Sequence, residues 1–401
     1  MKKNFFNVLI PTRNRLETLK YSLATALNQD YDNYQVIISD NNSSDGTGAY
    51  INSLNSPKIH CYNTGNSISM SSNFEFGISK ITEGFIIVIG DDDGLLPNAL
   101  NHINDLINKY KVLAISSKKI SYYWPNSEPY QNLLLIPNRS GTNHITMRNS
   151  KISLRKILNG DMIYSDLPML YTGGVVHHSL VQKARSKDGL FFKSSIPDVY
   201  SGLAIASVTP YYLSLSKPFS IDGISKYSNG HSQLGCNKNH LIAENFYREN
   251  DIPFHHSLGN GKVKSVHLLT LESFIQSQFL RNYKKISNMS KQLEIAAAKA
   301  PKEFLNETMD YLKVQCHFHP KPISVSNVRM HLLMVKFTTK NTINRFNKFA
   351  FWSTISTVGK VNNVYDAAVY VTKKRFSNIE IISLKIDRIK LKIEKIIGLK
   401  I

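Results

Sequence analysis

Cysteine is scarce: Cys61, Cys236 and Cys316 are the only three in 401 residues, and they lie far apart. That spacing excludes a disulfide framework and a paired Cys/His zinc motif, and it suits a reducing compartment. Long apolar runs are missing as well. No window holds the roughly 18 uncharged apolar residues that a membrane-crossing helix needs. The opening MKKNFFNVLIPTRNR carries two lysines and an apolar patch, but Asn4 and Asn7 interrupt it and Pro11 ends it, so it reads as a first strand and not as a signal peptide. Acid is the third shortage. Against 49 Lys and Arg stand 29 Asp and Glu, a net charge of +20, which calls for an anionic partner: nucleic acid, anionic lipid or a phosphorylated substrate. Disorder is excluded by a hydrophobic content of 42% and an aromatic content of 10%. The length allows two or three domains, or one domain with large appendages.

Three of the few acids sit side by side. In GFIIVIGDDDGLLP, residues 84–97, an apolar run reads as a buried central strand and Asp91, Asp92 and Asp93 follow it at once. Adjacent carboxylates repel, so the run costs stability unless a cation sits there. A divalent metal carrying a phosphorylated ligand is one neutraliser, and a solvated acidic turn is the plainer alternative.

The chain before this run alternates strand and helix. An apolar strand over 5–10 stops at Pro11, the loop Thr12-Arg13-Asn14-Arg15 leads into a helix with Leu16, Leu19, Leu23 and Leu27 at helical spacing, and a second strand over 34–39 ends in DNNSSDGT. A helix near Tyr50, a third strand over 59–62 and a helix over 71–80 follow. This order describes a parallel sheet covered on both faces, in which ligands bind outside the carboxyl ends of the strands. Every polar cluster named here falls at that edge.

The combination IPTRNR, IISDNNSSDGT and GDDDGLLP resembles the nucleotide-sugar-binding half of family 2 glycosyltransferases. The resemblance is specific over residues 5–100 and loose from there to about 227. It implies an α/β fold of the GT-A type, Rossmann-like, with a mostly parallel central sheet and helices on both faces, followed by a mainly helical C-terminal region. It implies a nucleotide-sugar donor, with UDP expected, and Mn2+ or Mg2+ as cofactor. Pro11, Thr12 and Arg13 would border the nucleotide pocket, and Asp40 would accept from the uracil imide, with Asn42 and Asn73 beside it. For Asp40 an Asx-turn or cap is the structural alternative, and for Asn73 a packing role. In the acidic run the register stays open: Asp92 and Asp93, or Asp91 and Asp93, would touch ribose and metal. Asp93 belongs to both versions.

Inverting transfer also needs a carboxylate to take the acceptor's proton. Pro197-Asp198, before a helical run, resembles the acid that opens the acceptor-side helix of the family, while an Asp in a first turn is also a plain N-terminal stabiliser. Asp161, Asp166 and Asp188 are the substitutes. His177-His178 and His255-His256 are adjacent pairs, poorly placed to share an ion. His231, in KYSNGHSQLG, is a further candidate metal or phosphate ligand on a loop.

Beyond about 227 the pattern turns helical, and from 329 onward 15 Lys and Arg face 4 Asp and Glu. IISLKIDRIKLKIEKIIGLKI and NRFNKFAFWSTISTV combine apolar area with cations, as an interfacial segment does; amphipathic helices packed on the domain are the other reading. The expected organisation is 1–227 as catalytic domain (1–100 donor half, 101–227 acceptor half), 228–328 as a helical acceptor-side or lid region, and 329–401 as a basic region meeting an anionic membrane surface. The activity that the resemblance implies is transfer to a cell-envelope glycan such as an O-antigen or capsule, and a glycan or lipid-linked saccharide acceptor at the cytoplasmic face of the membrane, with no nucleic acid, is the expectation that goes with it. The rival is an inactive membrane- or nucleic-acid-binding protein built on the same domain. A nucleotidyltransferase is third, since IPTRNR lacks the Gly-rich phosphate loop.

Overall fold

The computed structural model describes residues 2–128, 130–137, 144–228, 246, 248–258, 265–281, 289–299, 310, 352–356 and 361–373. His231, Cys236, the sequence Cys316-His317-Phe318-His319 and all of 374–401 lie outside the described residues.

The donor half runs β1 (Phe6–Thr12), α1 (Leu16–Leu27), β2 (Tyr34–Asp40), α2 (Thr47–Ser53), β3 (Ile59–Asn63), α3 (Met70–Ser79) and β4 (Phe85–Val88). Each element expected from the hydrophobic pattern is present within a few residues. β1 is buried along its whole length because β2 and β4 flank it, both parallel. That is why its sequence is a continuous apolar run. Successive residues feed opposite cores: Val8, Ile10 and Ile87 pack with Leu19 and Leu23 of α1, while Leu9, Ile86 and Val88 pack with Phe74 and Ile78 of α3.

The chain continues with β5 (Gly94–Leu95), α4 (Ala99–Tyr110), β6 (Ala114–Ser117), β7 (Ile120–Tyr123), β8 (Leu133–Pro137), β9 (Ile145–Asn149), α5 (Ser150–Leu158), β10 (Gly174–His177), α6 (His178–Ala184), α7 (Pro197–Val208), β11 (Tyr211–Leu215) and β12 (Ser220–Ile224). After these come α8 (Val266–Gln276), α9 (Met289–Ala298), β13 (Trp352–Ser356) and α10 (Val364–Lys373). The large sheet has the order β3-β2-β1-β4-β10-β6-β11-β9. It is parallel through the donor half and again at β6 and β11, with β10 and β9 antiparallel to their neighbours. This is the expected α/β class, a Rossmann-like sheet between helical layers.

A second sheet has the order β13-β8-β7-β12-β5. Its core of Ile120, Tyr122, Trp124, Leu134, Ile136 and Ile221 takes in Val361, Val364, Ala367, Ala368 and Val371 from the far end of the chain. β13 pairs with β8, and α10 lies on α1 and β5. Residues 352–356 and 361–373, which the sequence places in the basic region 329–401, thus pair with β8 and pack on the second sheet, α1 and β5, in line with the packed alternative given for that region.

Candidate active site

The ends of β1, β2 and β4 meet where parallel strands expose their carboxyl edge; Thr12 lies directly across from Asp40 in the β1–β2 register. A cavity of about 600 Å3 opens there. Pro11, Thr12, Arg13, Asn73, Asp91, Asp92 and Asp198, all singled out from the sequence, line it.

The three acids point three ways. Asp91 accepts from the Thr12 hydroxyl at 2.7 Å and from the Arg15 guanidinium at 3.1 Å. Asp92 takes the Ser225 and Ser228 hydroxyls on one oxygen, at 2.6 and 2.7 Å, and its other oxygen accepts from no described residue. Asp93 turns inward. It is fully buried, off the cavity wall, and its carboxylate accepts from the Gly90 N–H (2.8 Å), the Gly223 N–H (2.7 Å) and the Thr172 hydroxyl. The residue expected in both registers is thus the one that ties the turn to β12, and Asp91 and Asp92 are the pair that faces the cavity. Gly223 makes the approach of β12 feasible, since a Cβ there would stand 1.7 Å from the Asp92 carbonyl oxygen.

Charge in the turn is under-compensated. Burial opposes the charge on Arg15, yet Asp91 and Asp92 together hold its pKa above the ordinary value. One guanidinium cannot serve three acids. Burial and the Asp91 charge push the Asp92 carboxyl up, and burial with Asp92 and Asp222 pushes Asp93 up to about 8. Among the described residues no three His, Cys, Asp or Glu side chains converge as a preformed metal centre. The single unengaged carboxylate oxygen of Asp92 and the excess negative charge suit a hard cation whose other ligands come from outside the protein.

Two expected nucleotide contacts lie off the wall. Asp40 is buried, and its carboxylate accepts from the Ser43 N–H (3.1 Å) and the Asn63 amide (2.8 Å), the Asx-type role given as its alternative. Asn42 is exposed at φ 53°, a left-handed turn position. Asn41 faces the cavity instead and clamps Ile68 through both ends of its amide, at 2.8 Å each. Asn73 reaches the wall while gripping Ser39 at 2.7 Å, so it packs α3 on β2 as well.

On the opposite side α7 begins at Pro197, with Ile196 at its N-cap and Asp198 in its first turn. The Asp198 carboxyl is pushed up by burial, and the Val199 N–H, the charge of Lys119 and the Tyr164 hydroxyl at 3.3 Å pull the other way. Tyr171 lies between the acidic turn and Asp198; burial and four surrounding aspartates, with Asp93 and Asp92 foremost, hold its hydroxyl well above the ordinary value. Asp161, Asp166 and Asp188 do not line the cavity.

Sequence reading missed Arg15, Asn41, Lys119, Tyr164, Tyr171, Asp222 and Glu249, all on the cavity wall. Arg15 had a signal, being the last residue of IPTRNR. The others come from separate strands and loops with no local pattern, and only folding assembles them.

Comparison with known proteins places residues 7–164 within the match of a family model, Glycosyl transferase family 2. Over 106 residues the chain is 29% identical to GalNAc(5)-diNAcBac-PP-undecaprenol beta-1,3-glucosyltransferase of Campylobacter jejuni, a match that spans 26% of this chain and 34% of that relative. Among solved structures, S. aureus TarS 1-349 in complex with UDP-GlcNAc aligns over 78% of this chain and 89% of its own, with 13% identity and a TM-score of 0.44. Mannosyltransferase PcManGT from Pyrobaculum calidifontis in complex with GDP-Man and Mn2+ aligns over 85% and 88%, with 13% identity and a TM-score of 0.40.

Proposed function

We propose that this chain, whose residues 7–164 carry the Glycosyl transferase family 2 match, is an inverting glycosyltransferase that moves a sugar from a UDP-linked donor to a hydroxyl of a bacterial glycan. One observation carries the reading: a single cavity has Asp91, Asp92 and Arg15 on one wall and Asp198, at the start of α7, on another. The donor diphosphate would lie at the acidic turn, where Asp91 and Asp92 would hold a Mn2+ or Mg2+ ion. Such an ion, when bound, neutralises the leaving diphosphate. Thr12 and Arg15 fix Asp91, and Ser225 and Ser228 fix Asp92, so the carboxylates are aimed before the donor arrives.

Asp198 acts as general base. It takes the proton of the acceptor hydroxyl as that oxygen forms its bond to the anomeric carbon and the bond to the diphosphate oxygen breaks. Burial keeps the carboxyl basic, while Lys119 and Tyr164 favour its ionised form.

A lipid-linked saccharide is the acceptor class we favour, supported by the undecaprenol-linked substrate in the relative's name and by the basic balance of residues 329–401. The site would then work at the cytoplasmic face of a membrane. No helix among the described residues is long and apolar enough to cross one. The test is donor hydrolysis and UDP binding with Mn2+ and with EDTA. Metal-dependent hydrolysis that Asp198→Asn reduces by about 100-fold or more, with UDP binding retained, is expected. A wild-type chain that neither binds UDP with Mn2+ nor turns over any nucleotide sugar would favour the binding-protein reading.

A further inference from the structure

Among the described residues eight charged side chains line the cavity, and six of them have hydrogen-bond partners there. Arg13 holds Glu249, Arg15 holds Asp91, Asp92 takes two serines and Asp198 takes Tyr164. Lys119 and Asp222 are the remaining two. Their Nζ and Oδ1 stand 3.6 Å apart, and neither makes a hydrogen bond to any described residue. Both side chains are largely shielded, 19% and 31% exposed, so solvent satisfies them only in part. An ammonium offers three donors and a carboxylate several lone pairs, and both side chains line the cavity with that capacity not taken up by hydrogen bonds to described residues.

The fold holds the pair in place. Lys119 occupies the tight corner between β6 and β7, and its stem runs over Gly173, where a Cβ would meet Cγ at 3.0 Å and Cδ at 3.3 Å. Gly173 also has φ +91°, which disfavours any other residue. Asp222 precedes Gly223, the residue packed on the acidic turn through Asp92 and Asp93. Lys119 is close enough to Asp198 to bias its charge, and its Nζ lies 5.8 Å from the centre of the Tyr171 ring. The pair therefore sits between the acidic turn and the base.

We infer that Lys119 and Asp222 together form the grip on the transferred sugar, Lys119 donating to one ring hydroxyl and Asp222 accepting from a neighbouring one. A charged donor and a charged acceptor side by side match two adjacent hydroxyls, each of which both gives and takes a hydrogen bond. Nucleotide and phosphate contacts do not require the pair. The inference rests on the donor-site reading above and adds the sugar-specific part of it.

Titration calorimetry with Mn2+ separates the two. UDP, UDP-glucose, UDP-galactose and UDP-N-acetylglucosamine are compared on wild type, Lys119→Met and Asp222→Asn, and retained UDP binding serves as the check of folding. The wild type is expected to bind one of the sugar nucleotides more tightly than UDP. Each variant should lose about 10- to 100-fold for that ligand and less than about twofold for UDP. Equal losses for UDP and the UDP-sugar, no loss in either variant, or a wild type that binds no UDP-sugar more tightly than UDP would each overturn the grip. A wild type that does not bind UDP would sink the donor-site reading itself.

Discussion

Arg13 and Glu249, 236 residues apart in the chain, meet as a two-pronged ion pair with both N···O distances at 2.8 Å. Two positions on, Asp251 accepts from the Ser69 and Ser72 hydroxyls at the start of α3, at 2.5 and 2.6 Å. The chain's own carboxylates thus occupy cationic and hydroxyl donors on the Arg13 side of the cavity.

Removing Glu249 should free the Arg13 fork for a phosphate or uridine oxygen. Glu249→Gln is expected to tighten UDP binding by about two- to fivefold, the scale of a partly exposed ion pair. Calorimetry at low and high salt checks it, since screening should narrow the difference. Weaker binding would mean that Glu249 orients Arg13 and does not compete for it.

Asp92 and Asp93 should separate into function and stability. Asp92→Ala is expected to abolish the Mn2+ dependence of UDP binding, and, since it strands only the Ser225 and Ser228 hydroxyls, which can rotate to other acceptors, to lower melting less than Asp93→Ala does. Asp93→Ala leaves the buried Gly223 and Thr172 donors, at about 1–3 kcal/mol each, and the partly buried Gly90 N–H without their acceptor. A fall in melting temperature of at least about 5 °C follows. An Asp93→Ala protein with wild-type melting would contradict the inward geometry.

His267, buried in α8, supplies a pH test. Burial, with Lys299 nearby, lowers its pKa to about 3. The unfolded chain takes up this proton near pH 6.5 and the folded chain does not, so the stabilisation is complete above about 6.5 and is lost as pH falls toward 3. His267→Asn should flatten the acid limb of stability against pH, by up to about 1.4 kcal/mol per pH unit relative to wild type. Parallel urea-denaturation curves for both proteins between pH 4 and pH 8 would rule the effect out.

Truncation before β13 should damage the domain. A chain ending at residue 350 loses the β13 pairing with β8 and exposes the surface that Val361, Val364 and Val371 cover. Each buried valine contributes about 1.5 kcal/mol or more, so several kcal/mol of stability should go with the segment. Unchanged thermal melting of the truncated chain would refute this.

The sequence by itself determined the donor half. Its strands are unbroken apolar runs because they are buried on both faces, its helices keep a 3.6-residue period, and both signals are local enough to read without neighbours. The same locality placed Thr12, Arg13, Asp91, Asp92 and Asp198 at element ends, and those residues do line one cavity. Locality also set the limit. Whether Asp91, Asp92 or Asp93 faces the ligand depends on which donors surround each oxygen, and these come from Arg15, Thr172, Gly223, Ser225 and Ser228. Only the tertiary structure brings those groups within 3 Å or so of the turn. It likewise decided that 361–373 completes the small sheet and that Lys119 meets Asp222, because side chains from distant strands acquire neighbours only when the sheet order is fixed.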